Sequence, residues 1–153
     1  MEPTTELINF ELVLYSKYWN TPPYVEVSVD DEIKHQCKLT DEYTTIKFSH
    51  QLDFNMHHKI NILRQGKTMR ESRMLMDRTW ETQECGITRL YVDDINIRNI
   101  LWDKSYFEPE YDKFQSGDKI VPGECCFGFN GKWTLDFTSP FYQYVVDCVR
   151  GAK

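Results

Sequence analysis

The residues able to do chemistry are few and poorly grouped. His57 and His58 adjoin, with His35 and His50 upstream. On a strand, neighbours point to opposite faces, so the pair is a poor chelate and reads better as solvated or packed histidines than as a metal site. Asp30, Asp31 and Glu32 fall in a turn, an ordinary place for carboxylates. Asp93-Asp94 resembles half of an oxygen-rich calcium site, but no glycine-spaced ligand loop accompanies it. Glu108 and Glu110 could act as a glycosidase pair, although acids on a loop are more often simply solvated. Cysteines stand at 37, 85, 125, 126 and 148 without CxxC spacing, which disfavours zinc and suits reduced, packed thiols. There is no GxSxG, and the GFNG stretch lacks the Lys-Ser/Thr ending of a phosphate loop. The expectation is therefore a protein that is not an enzyme and has no cofactor and no resident metal.

What remains is aromatic. Trp19, Trp80, Trp102, Tyr106 and Tyr111 fall in or beside expected loops, and Phe107 adjoins Tyr106. Flat ring faces of this kind stack on sugars, and the same residue types anchor protein interfaces. Both readings stand for this set, with the protein interface ahead of the glycan. The net charge of -6 argues against a nucleic-acid partner, which needs a basic face. No stretch is apolar for long enough to cross a membrane as a helix. The start, MEPTTEL, has no apolar core of a signal peptide, so synthesis in a cytoplasm is expected.

These residues must be held by strands. Only one alanine, Ala152, is present, which disfavours a helical bundle, whereas aromatic and β-branched residues are plentiful. Alternation predicts strands at Leu7 to Tyr15, Tyr24 to Val29, Ile33 to Leu39, Thr44 to Phe48, Lys59 to Leu63, Gly86 to Val92, Ile95 to Trp102, and around Trp133 to Phe137. Thr68 to Glu84 has no strict period and reads as a long irregular excursion. Asp103 to Gly123 reads as a second long connection, in which Tyr106, Phe107, Tyr111 and Phe114 pack down as a lid or against a neighbour. Asn130-Gly131 signals a tight turn. Ser139 and Pro140 are placed as N-cap and first residue of a closing helix whose apolar face is Phe141, Tyr144, Val145 and Cys148. Residues 1–153 are read as one all-β domain, an antiparallel, jelly-roll-like β-sandwich of about eight strands with a short C-terminal helix.

Two resemblances follow. PYVEVSVDD, HHKINILRQGK and ITRLYVDDINI, over roughly residues 7 to 100, resemble in strand pattern the jelly-roll carbohydrate-binding modules that bind xylan with calcium. That resemblance implies a glycan partner. INIRNILWDKSYFEPEY and FGFNGKWTLDFTSPFYQYVV resemble small virion proteins of tailed phages, particularly cyanophages and marine T4-like phages. The matching residues are Leu101-Trp102, Pro109-Glu110-Tyr111, Gly128, Asn130-Gly131, Trp133 and Ser139 to Tyr142. This second resemblance implies an accessory structural protein of the virion, on capsid or tail, present in many copies and bound to other virion proteins. It leads the expectations, with the carbohydrate-binding module as the alternative.

Overall fold

The computed structural model describes residues 3–111 and 117–151. Its strands are β1 (Thr5–Lys17), β2 (Tyr24–Val29), β3 (Glu32–Lys38), β4 (Tyr43–Asp53), β5 (His57–Gln65), β6 (Arg73–Met74), β7 (Trp80–Glu81), β8 (Glu84–Val92), β9 (Ile95–Asn96), β10 (Ser105–Pro109), β11 (Val121–Pro122), β12 (Cys126–Phe127) and β13 (Gly131–Thr138). Two helices, α1 (Arg98–Lys104) and α2 (Phe141–Gly151), complete it.

The strands form an antiparallel sandwich. One sheet runs β12-β8-β1-β4 with β9 attached to β8; the other runs β11-β10-β13-β5-β2-β3. Each inner face comes from simple alternation. Ile8, Phe10, Leu12 and Leu14 of β1 are buried, as are Val25, Val27 and Val29 of β2 and Trp133, Leu135 and Phe137 of β13. A side-chain period of two places every second residue in the core and leaves the others on the outer face. The all-β sandwich expected from the sequence is thus present, with its C-terminal helix.

Several expectations are corrected. Ile95 to Trp102 is not one strand: pairing stops at Asn96, and Arg98–Lys104 is helical with Ile100 and Leu101 buried. Those two residues could serve either a strand or a helix, and short apolar runs do not distinguish them. The Asp103 to Gly123 stretch is not all loop. Ser105–Pro109 pairs with β13, and Phe107 becomes core. Phe114 lies outside the described residues. Thr68 to Glu84 contains a 3-10 turn at Met69–Glu71 and the β6–β7 hairpin, in which Arg73 pairs with Glu81 and Met74 with Trp80.

The Asn130-Gly131 pair serves differently from a tight turn with a left-handed glycine. Gly131 has φ 158, which is extended, and begins β13; a Cβ there would lie 2.4 Å from the Glu108 carbonyl oxygen. Close backbone approach is what requires the glycine. The left-handed region is instead occupied by the Asp30-Asp31 and Asp93-Asp94 pairs, in the β2–β3 and β8–β9 turns, and by Asn55, Arg78, Gly66 and Gly123 elsewhere. Asp tolerates this conformation better than most residues do.

The closing helix presents the expected face: Phe141 is buried, and Tyr144, Val145 and Cys148 pack on the core. Its cap is not Ser139. The Tyr144 amide donates to the Pro140 carbonyl, so the helix begins at Phe141. The Phe141 N–H and the Ser139 hydroxyl both donate to Glu6 Oε1, at 2.7 and 2.6 Å. A carboxylate from β1 therefore caps a helix 135 residues away in sequence.

Candidate functional site

The six aromatic candidates are not gathered into one platform. Trp19 is half-buried, donates from Nε1 to the Glu71 carbonyl at 2.8 Å, and has the Arg73 guanidinium 4.0 Å from its ring centre. Trp80 stands 64% exposed on the β6–β7 hairpin. Trp102 stands 60% exposed on α1. Tyr106 is half-buried in β10, between Thr134 of β13 and Pro122 of β11. Tyr111 packs edge-on against Phe129 and donates its hydroxyl to the Asp118 carbonyl at 2.9 Å. Phe107 is only 2% exposed and stacks on Phe127 with centroids 5.0 Å apart, so it is out of reach of any partner.

The loop end holding Trp19 is stitched by buried polar groups. Glu71 accepts from the Thr21 hydroxyl at 2.6 Å, the Thr21 N–H and the Asn20 amide. The guanidinium of Arg64, fully buried, donates to Asn130 Oδ1 and to the Gln83 carbonyl, each at 2.8 Å. Most of these buried polar atoms are paired, Arg64 Nε and Gln83 Oε1 being without a partner among the described residues, and the pairing ties together the chain around Trp19.

Several of the carboxylate and histidine candidates are tied into the fold. His58 Nδ1 lies 2.6 Å from Asp30 Oδ2, and its Nε2 lies 2.9 Å from the Asp53 carbonyl oxygen. His50 of β4 lies 3.1 Å from Glu32, linking the two sheets along one side. Asp93 Oδ1 accepts from the Asn9 N–H at 2.8 Å and so ties the β8–β9 turn to β1. Among the described residues, no group of three or more His, Cys, Asp or Glu could hold a metal ion.

The outer face of the first sheet carries a different arrangement. A hollow of about 850 Å³ is floored by β1 and walled by β4 and β8. A second, of about 720 Å³, shares Glu11, Lys47 and Tyr91 with it; a third, of about 460 Å³, shares Tyr43 and Thr88. Together they make one furrow along β1.

Strand register sets the furrow's order. Glu11 lies between Tyr91 and Lys47, Val13 between Arg89 and Thr45, and Tyr15 between Gly86 and Tyr43. Successive rows are two residues apart, ~7 Å along the strand. A bulge between Val13 and Leu14 leaves Thr88 unpaired, since Val13 pairs with Arg89 and Leu14 with Ile87. Thr88 and Arg89 are consecutive, yet both line the furrow. Re-aiming a side chain in this way is a known effect of bulges.

The polar groups of the furrow are defined. Lys47 Nζ lies 3.3 Å from Glu11 Oε1. Arg89 is exposed and has no carboxylate partner among the described residues. Tyr15 lies across Gly86, where a Cβ would be 2.8 Å from the ring, and donates its hydroxyl to Cys126 Sγ at 2.7 Å. Burial, with the Cys126 contact, raises the Tyr15 phenol well above its usual range, so the phenol remains a donor. Burial likewise raises the Cys126 thiol, which makes it a poor nucleophile at neutral pH. Tyr43 is 58% exposed, and its ring is the most open in the furrow. Exposed ring surface, paired charges and hydroxyls in one open channel suit a hydroxyl-rich ligand with apolar C–H faces.

Tyr15, Tyr43 and Tyr91 lie in or beside expected strands and are not among the loop aromatics that the sequence singles out. The signal was present: each occupies the outward phase of an alternating strand, where a small polar residue would suffice.

No protein-family model matches the chain, and no curated protein sequence matches it. Among solved structures it is similar to vCBM60 in complex with galactobiose, with a TM-score of 0.50 and 10% identity over 83% of this chain and 96% of that one. A selenomethionine form of vCBM60, described with a circular permutation linking two families of calcium-dependent carbohydrate-binding modules, gives a TM-score of 0.49 and 11% identity, covering 84% of this chain and 89% of that one. What the first likeness shows is a shared β-sandwich fold.

Proposed function

We propose that this chain is a non-enzymatic carbohydrate-binding module that takes a glycan chain along the β1 furrow. The observation that carries the reading is the outward placement of Tyr15, Tyr43 and Tyr91 on three adjacent strands, interleaved with Glu11, Lys47 and Arg89. The fold shared with a module solved with galactobiose supports it. Calorimetric titration against a panel of soluble polysaccharides tests it. Tyr43→Ala is expected to weaken binding by about 2- to 10-fold, the ~0.5–1.5 kcal/mol of one ring contact. Trp102→Ala, away from the furrow, is expected to leave binding unchanged. A panel with no binder, or a binder indifferent to Tyr43 and Tyr91, refutes the reading.

A second reading is an accessory protein of a phage virion, made in the host cytoplasm and held in many copies by other virion proteins. One observation favours attachment to protein: Met74, Met76 and Trp80 stand exposed together on the β6–β7 hairpin. Met and Trp are enriched at protein interfaces. Mass spectrometry of purified particles tests it, and absence of the chain from the particle rejects it.

A further inference from the structure

β4 forms an outer edge of its sheet, and its hydrogen-bonding parity can be read from the ladder. The Ser16 N–H donates to the Glu42 carbonyl and the Phe54 N–H to the Thr4 carbonyl, both at 2.9 Å. These bonds extend the β1–β4 register by one pair at each end. In an antiparallel ladder, hydrogen-bonded and non-bonded pairs alternate. The even-numbered residues of β4 therefore direct their backbone groups to β1. Thr45, Lys47, Ser49 and Gln51 direct theirs outward, all four are exposed, and no backbone group of another described residue bonds to them.

Such an edge templates another strand unless it is short, bulged or blocked by proline or charge. The other sheet edges are managed in these ways. β11 and β12 have two residues each, and β3 sits opposite a register shift at Val27/Ser28 and carries Lys34 and Lys38. β4 has 11 residues, an unbroken register, no proline and one lysine.

We infer that the β4 edge pairs with the β4 edge of a second copy of this chain, antiparallel about a two-fold axis at Phe48. β4 is self-complementary in that register. Lys47 faces Ser49 across the junction, Thr45 faces Gln51, and Tyr43 faces Asp53, so no like charges oppose. A two-fold axis at Lys47 would set two ammonium groups opposite each other, whereas an axis at Phe48, the central residue of Tyr43–Asp53, pairs the strand over its whole length. Phe48, half-buried in one copy, meets its counterpart on the inner face. Closed two-fold pairing is also the commonest form of self-association. The furrow wall carrying Tyr43, Thr45 and Lys47 belongs to β4, so pairing joins two furrows on one continuous sheet. A polymer bound by both gains avidity without a new contact. The pairing itself does not depend on what the furrow binds.

Sedimentation equilibrium across a wide concentration range tests this, with residue-resolved hydrogen exchange beside it. The mass is expected to rise from 18.3 kDa to twice that value. Ser49→Pro removes only an outward N–H, leaves the β1 ladder intact, and is expected to remain at 18.3 kDa with an unchanged circular dichroism spectrum. In the wild type, the amides of Thr45, Lys47, Ser49 and Gln51 should become protected as concentration rises. That readout stands even if Ser49→Pro fails to fold. A mass of 18.3 kDa throughout, or a dimer whose four outward amides exchange freely, overturns the inference.

Discussion

Replacing Glu6 tests whether the long-range cap closes the fold. Glu6 Oε1 accepts from the Ser139 hydroxyl at 2.6 Å and from the Phe141 N–H at 2.7 Å. Hydrogen bonds to a charged acceptor contribute roughly 1.5–3 kcal/mol each, and N-caps about 0.5–2. The site is partly buried, so water recovers some of the loss when the carboxylate is removed. Glu6→Ala is therefore expected to destabilise by ~2 kcal/mol, lowering Tm by about 4–8 °C for a chain of this size. Glu6→Gln keeps an acceptor without its charge and should lose ~1 kcal/mol, because charge-assisted bonds are about twice as strong as neutral ones. Ser139→Ala removes one of the two donors and should also lose ~1 kcal/mol. Urea unfolding followed by circular dichroism gives the free energies, and hydrogen exchange across Phe141–Gly151 shows whether α2 undocks first. A Glu6→Ala variant within ~0.5 kcal/mol of wild type, the range of an ordinary surface change, would refute the cap.

Other consequences can be measured directly. Burial alone would lower the His58 pKa, but the Asp53 carbonyl and Asp30 carboxylate that accept from its ring outweigh it and raise the value. The stability it contributes is therefore complete below the unfolded value of about 6.5 and is lost as pH rises through the higher folded value. The urea midpoint of wild type should fall across that window relative to His58→Gln; a parallel pair of curves would contradict it. Phe107→Ala, in the core on Phe127, should cost ~3–5 kcal/mol, whereas Trp102→Ala should stay within ~0.5 kcal/mol. Similar losses for the two would reverse their assignment to core and surface, and thermal unfolding of the pair decides.

The sandwich was legible because alternation is a local property. Ile8, Phe10, Leu12 and Leu14 alternate whatever β1 pairs with, and a period of two admits one inner face. The amphipathic closing helix was legible for the same reason. Local pattern does not tell which partner a strand finds or which feature a ring lies beside. Phe107 and Trp102 look alike in sequence, but pairing of β10 with β13 buries one, while the turn of α1 exposes the other. Ser139 looked like the cap because capping is usually local, and Glu6 took that role only when the start of β1 came beside the end of β13. Tyr15, Tyr43 and Tyr91 are separated by 28 and 48 residues, and only the order β8-β1-β4 aligns them. Alternation alone marks β1, β2 and β13 as strands and shows which side of each faces the core, whereas β10 and the β6–β7 hairpin lack that local signal. Tertiary pairing alone decided that three outward tyrosines share a furrow and that β4 is left with an open edge, because strand order and register depend on contacts between segments distant in the chain.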